Sequence, residues 1–255
     1  MATYLPVYIF AKNVAGDSAG VSLLIPPGTD IHEFQMRPLD IKRLNEADTV
    51  FLNGAGLDTH IRERIARKDR AVDTSKGVGF ISAGSAPDPH IWLDPSLAAV
   101  QVRNIRDAFV EKDPSNRQRY ERNAAEYISR LSALDREIKE GLSGLKGRYL
   151  ITYHEAFNYF ARRYGLKPYS LTGPSAESPL PGRMKDVYDI VRHNRVMAIF
   201  VEKQFPKDSV ERLGRELGVA VCTLDSIESG RPEPDYYERA MRENMKNILR
   251  CLKGQ

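Results

Sequence analysis

The chain has 255 residues, 42% of them hydrophobic, enough to bury a large core and to suit two lobes of ordinary domain size. Its 38 basic and 34 acidic residues nearly cancel, and even the basic stretch from Arg62 to Arg70 is interrupted by Glu63 and Asp69, so the excess reads as a solvated face. A nucleic-acid surface would need clustered Arg and Lys with stacking aromatics, and none is present; no apolar run approaches the roughly 20 residues needed to cross a bilayer.

Taken in chain order, the opening Met1-Ala2-Thr3-Tyr4-Leu5-Pro6 carries neither a charged n-region nor an apolar h-region. No signal peptide is therefore expected, which fits either a cytosolic protein or a trimmed mature form. Apolar, β-branched runs then alternate with helical patterns, the pattern of βα units and a mostly parallel sheet. Strands are expected at Val21 to Ile25, Thr49 to Leu52, Ala71 to Thr74, Arg148 to Tyr153, Pro168 to Leu171, Val196 to Val201 and Val219 to Leu224. Helices are expected at Pro38 to Ala47, Thr59 to Arg67, Pro95 to Glu111, Ala156 to Tyr164, Pro181 to Asn194, Lys207 to Leu217 and Asp235 to Leu252.

One stretch breaks the alternation. From Pro114 to about Leu142 apolar residues recur at Tyr120, Ala124, Tyr127, Leu131, Leu134 and Ile138, steps of three and four that define one helical face. Asp113 suits a cap, and Gly141 and Gly144 end the run. At ~1.5 Å per residue this is a rod of about 40 Å. The expected division is an N-terminal α/β lobe over 1–113, a connecting helix over 114–145 and a C-terminal α/β lobe over 146–255. The two cysteines, Cys222 and Cys251, both fall in expected elements. Composition leaves two states open: reduced buried thiols, or a disulfide in an oxidising compartment.

Three of the five histidines sit at turns or strand ends. His32 follows Pro26-Pro27-Gly28 after the first strand, His90 stands in Asp88-Pro89-His90-Ile91-Trp92, and His154 follows the run Tyr149 to Tyr153. Asp225 likewise follows the strand ending at Leu224. Ligands of parallel α/β sheets gather outside the carboxyl ends of strands. Three imidazoles and a carboxylate would make a closed, four-coordinate zinc site. The plainer alternative is a hydrogen-bonded or surface histidine, which suits His60 and His193 and stays open for the other three. No short zinc signature decides it.

Local words in this chain resemble the metal-specific solute receptors of ABC importers. The similarity runs through Ile25-Pro26-Pro27-Gly28-Thr29-Asp30-Ile31-His32-Glu33-Phe34, Asp40-Ile41-Lys42-Arg43-Leu44, Asn53-Gly54-Ala55-Gly56-Leu57 and Asp88-Pro89-His90-Ile91-Trp92-Leu93-Asp94-Pro95. It continues through Tyr153-His154-Glu155-Ala156-Phe157, Ala198-Ile199-Phe200-Val201-Glu202 and Leu224-Asp225-Ser226-Ile227, in order over nearly the whole chain. The resemblance implies two α/β lobes of parallel-sheet βα units joined by one long rigid helix, with a transition metal in the cleft. By position, His32 and His90 would be ligands from the first lobe, and His154 and Asp225 from the second. Ile31 stands where the family often has proline, and Gln35-Met36 where it often has Glu-Pro, which bears on the loop behind His32.

Three nitrogens and one oxygen suit zinc, while an oxygen-richer set would suit manganese. In the manganese-type receptors the third position is typically a carboxylate, and here it is His154. The long His-rich loop of many zinc-type members is missing between Lys76 and Pro89. Glu202, closing an apolar strand, is expected either to orient a histidine or to form a buried ion pair. The resemblance also implies an oxidising location and a Cys222–Cys251 disulfide. The expected function is thus an extracytoplasmic zinc receptor, not an enzyme, periplasmic or anchored to the outer face of the cytoplasmic membrane. It would serve as a monomer that passes the ion to a permease with its ATPase and binds no nucleic acid. The alternatives are a manganese or iron receptor, or a zinc-dependent hydrolase with Glu155 as general base.

Overall fold

The computed structural model describes residues 1–29, 31, 34–83, 86–173, 181–205 and 207–253. It is α/β with parallel strands and one long helix, and it divides into two compact units. Met1–Phe80, Pro95–Leu134 and Ile227–Glu238 make the first unit; Ile81–Asp94, Asp135–Ser226 and Arg239–Gln255 make the second.

In the first unit, α1 (Leu5–Ala15) has no counterpart among the expected elements. Its sequence is apolar on nearly every side and it is buried, so no one-faced period marks it as a helix. Pro6 sits in the first turn, where a missing N–H costs nothing. The strand expected at Val21 to Ile25 contracts to a single parallel bridge between Leu23 and Ala2, and Ala2 bridges Phe51 on its other side. Closely following Pro26 and Pro27 lack the N–H groups that would extend the ladder. After α2 (Pro38–Glu46) come β1 (Val50–Leu52), α3 (Thr59–Arg64) and β2 (Ala71–Asp73), with β1 and β2 parallel in the register Val50↔Ala71. The turn after β1 is organised by buried Asp58, whose carboxylate accepts from Thr3 Oγ1 (2.7 Å), Asn53 N (2.6 Å) and Gly54 N (3.1 Å). Burial raises the pKa of that carboxyl against the lowering effect of these bonds. Helix α4 (Pro95–Lys112) packs on α1.

Helix α5 (Arg117–Gly141) follows a one-turn 3₁₀ segment at Pro114–Asn116. All six apolar positions that define its expected face, from Tyr120 to Ile138, are buried. Its residues up to Leu134 belong to the first unit and those from Asp135 to the second.

The second unit opens with a short antiparallel pair, β3 (Ser82–Ala83) and β4 (Ala86–Pro87). It continues through β5 (Tyr149–Thr152), α6 (Asn158–Tyr164), β6 (Lys167–Ser170), α7 (Pro181–His193), β7 (Ala198–Glu202), α8 (Lys207–Leu217), β8 (Ala220–Leu224) and α9 (Tyr236–Lys253). The four-stranded sheet runs β6-β5-β7-β8, every pair parallel, over a core that includes Ile151, Leu171, Ile199 and Val201. Gly141, ending α5, lies so close to Met245 of α9 that a Cβ there would stand 2.6 Å from its sulfur. A disulfide joins Cys222 of β8 to Cys251 of α9. The segment bearing His90 clusters with this second unit, not with the N-terminal lobe expected for it. Tyr159 of α6 explains the attachment: its hydroxyl accepts from Ile81 N (3.0 Å) and donates to Asp88 O (3.1 Å). Among the described residues no helix is long and apolar enough to cross a membrane.

Candidate metal centre

In the order β6-β5-β7-β8 the chain reverses direction of growth between β5 and β7. Crevices at such switch points, outside the carboxyl ends of the strands, are where parallel sheets bind ligands. His154 lies two residues past β5, Glu202 is the last residue of β7, and Asp225 directly follows β8. Each of the three is at least nine-tenths buried.

The turn carrying His154 is fixed through its carbonyl, which accepts from Thr152 Oγ1 (2.7 Å) and Ala156 N (3.0 Å). Phe205 presents its ring at 5.4 Å from the imidazole, edge to face. Glu202 Oε1 is 4.0 Å from His154 Nδ1, wider than a direct hydrogen bond but near enough to attract a positive ring. Burial, and secondarily the negative charge of Glu202, pushes the Tyr153 hydroxyl pKa up.

His90 is set by its own turn. Asp88 Oδ1 accepts from His90 N (3.0 Å) and lies 2.8 Å from His90 Nδ1. A carboxylate only accepts, so the imidazole proton belongs on Nδ1 and the lone pair on Nε2. Asp88 is itself anchored by Asn158 Nδ2 at 3.0 Å. Trp92, one turn on, stacks obliquely with His90 at 5.2 Å and donates from Nε1 to Ser226 O at 2.8 Å. That bond ties the His90 turn to the residue after Asp225.

The two imidazoles meet. Their centroids are 4.9 Å apart, edge to face, although 64 residues separate them in sequence (154 − 90). Asp225 is held differently: Asn244 of α9 grips its backbone on both sides, accepting from Asp225 N and donating to Asp225 O, each at 2.8 Å. Its carboxylate Oδ2 lies 2.7 Å from Lys203 Nζ. Among the described residues no three His, Cys, Asp or Glu side chains converge as a metal-binding group. His32, the remaining expected ligand, lies outside the described residues. Glu155, the general base of the hydrolase alternative, is engaged elsewhere: Arg183 Nη2 reaches its Oε2 at 2.8 Å and Asn158 Nδ2 its Oε1 at 3.4 Å. Asp88, Asn158 and Lys203 are contributors that motif reading leaves out. Only Asp88 had a signal, a carboxylate two residues before a histidine.

A family model described as "Zinc-uptake complex component A periplasmic" (ZnuA) matches residues 1–251. "Zinc-binding lipoprotein AdcA" of Streptococcus pneumoniae is 33% identical over 273 residues, covering 97% of this chain but 54% of its own length. The chain thus spans about half of that curated relative. "Iron-binding protein YfeA" of Yersinia pestis is 33% identical over 251 residues, covering 92% of this chain and 80% of its own. The crystal structure of a zinc-bound ZnuA with residues 138–173 of its own numbering deleted aligns with a TM-score of 0.89 at 27% identity, covering 100% of this chain and 97% of that one.

Proposed function

The chain belongs to the ZnuA family of zinc-uptake components, and from that premise we propose that it is a high-affinity zinc receptor delivering the ion to an ABC-type importer. The proposed ligands are His90, His154, Asp225 and, from outside the described residues, His32, with Glu202 steering the His154 ring. Three imidazoles and a carboxylate would fill a tetrahedral zinc and leave no open position for catalysis, so the chain is a binding protein and not an enzyme. It works outside the cytoplasmic membrane, periplasmic or anchored there, as a monomer that hands the ion to a permease driven by its ATPase. No nucleic acid takes part.

The observation that carries this reading is the His90–His154 pair, 4.9 Å apart, with a carboxylate beside each Nδ1. Two buried imidazoles whose outer nitrogens face carboxylates are set up to turn lone pairs toward one cation. A second reading, an iron or manganese receptor, is favoured by the equal likeness to a relative named for iron. The donor set weighs toward zinc.

The test is elemental analysis of protein purified without added metal, followed by zinc-against-manganese competition and calorimetric titration of variants. One zinc per chain is expected, with His90→Ala costing more affinity than Asp225→Ala. If both variants bind zinc as the parent does, the site is wrongly assigned. Each imidazole must be neutral to bind, so affinity falls as pH drops toward about 5.

A further inference from the structure

We propose that Lys203 is a built-in competitor for Asp225, weakening the hold on the metal and speeding its release; this rests on the zinc-receptor reading above. The Asp225 side chain is 3% exposed and cannot retreat to water, because Asn244 clamps its backbone from both sides. A carboxylate so buried needs a counter-charge. Lys203 supplies one at 2.7 Å, yet its own side chain is 52% exposed.

The asymmetry between the partners is what makes the exchange possible. An ammonium on a flexible four-carbon stem, half in water already, leaves its partner by rotating into solvent. The carboxylate stays where it is. Asp225 can therefore pass from ammonium to metal and back by one side-chain rotation, with no backbone movement. Its position is dictated by strand register: Glu202 pairs with Leu224 across β7 and β8, and Lys203 N donates to Leu224 O at 3.2 Å, which sets Lys203 beside Asp225. Any cation recruiting Asp225 must displace this ammonium or share the carboxylate with it. Both weaken binding.

The experiment titrates the full chain with zinc against a chelator of known affinity and follows release into excess chelator by stopped flow. Lys203→Met is expected to bind about tenfold tighter, the scale of one unit charge removed from a few ångströms away in a half-wet site, and to release correspondingly more slowly. Lys203→Gln serves as a second neutral variant and moves the same way. Lys203→Arg, whose fork grips a carboxylate with two bonds, binds zinc no more tightly than the parent. In an Asp225→Ala background Lys203→Met changes nothing further. Unchanged or weaker binding by both neutral variants overturns the proposal, as does a gain that survives in the Asp225→Ala background. His154→Ala and Asp225→Ala separate this from the wider reading. If both retain parental affinity, the zinc site itself is wrong. If both weaken while the Lys203 variants match the parent, only the competitor role falls.

Discussion

In the proposed centre, the location of a single proton on His90 decides whether that ring can bind a metal. Asp88 fixes that proton on Nδ1 across 2.8 Å and is held in turn by Asn158. Asp88→Asn would offer Nδ1 an amide donor, favouring the opposite tautomer and closing the Nε2 lone pair. Zinc affinity is expected to fall about 10–100-fold, the usual effect of losing such an outer partner, with the circular-dichroism spectrum unchanged; parental affinity in that variant would show that the tautomer is set elsewhere. At this scale the sequence is legible wherever the cue is local. His90 and His154 announce themselves by standing at a turn and a strand end. The Lys203–Asp225 contact does not, because it depends on how β7 and β8 are registered, which no local pattern encodes.

The elements follow the same division between local and distant causes. The face of α5 is readable because its six apolar steps are separated by polar residues, and all six are buried. Helix α1 is unreadable because apolar residues surround it. The start of α5 carries a pH-dependent device in Asp113, which accepts from the hydroxyl of Ser115, Asn116 Nδ2 (2.7 Å) and Tyr120 Oη (2.7 Å). Those bonds, Ser115's first, hold its carboxyl at about 2 against an ordinary 3.8. The bonded form is the charged one. Its stabilisation is therefore complete above 3.8 and is lost as pH falls toward 2. Asp113→Ala is expected to lower Tm by a few degrees at neutral pH, and the gap to the parent should close across that acid window. Thermal melts from pH 7 downward check it; a gap that stays constant would mean the carboxylate's charge is irrelevant.

For the molecule as a whole, membership of the two units is interleaved along the chain: residues 81–94 and 227–238 each depart from the unit of their sequence neighbours. Periodicity reports what a segment is, whereas partnership is decided by contacts such as the one Tyr159 makes with Asp88, 71 residues away. The same holds for Cys222 and Cys251, 29 residues apart and bonded between β8 and α9. Replacing both by serine is expected to cost about 3.6 kcal/mol by the chain-entropy relation, measured by urea denaturation. The same β8–α9 pairing holds Asn244 against Asp225, so the double variant should also bind zinc more weakly. A double variant as stable as the parent would mean that other β8–α9 contacts suffice.

The chain has one tryptophan, and it lies beside residues of the proposed centre in the second unit. Trp92 is fully buried, 5.2 Å from the His90 ring, with its indole N–H committed to Ser226 next to Asp225. An indole wedged between the turns that carry two of the proposed ligands is an intrinsic optical gauge. Selective excitation of that single fluorophore is expected to report metal binding at the proposed centre in unlabelled protein, free of emission from any other tryptophan of this chain.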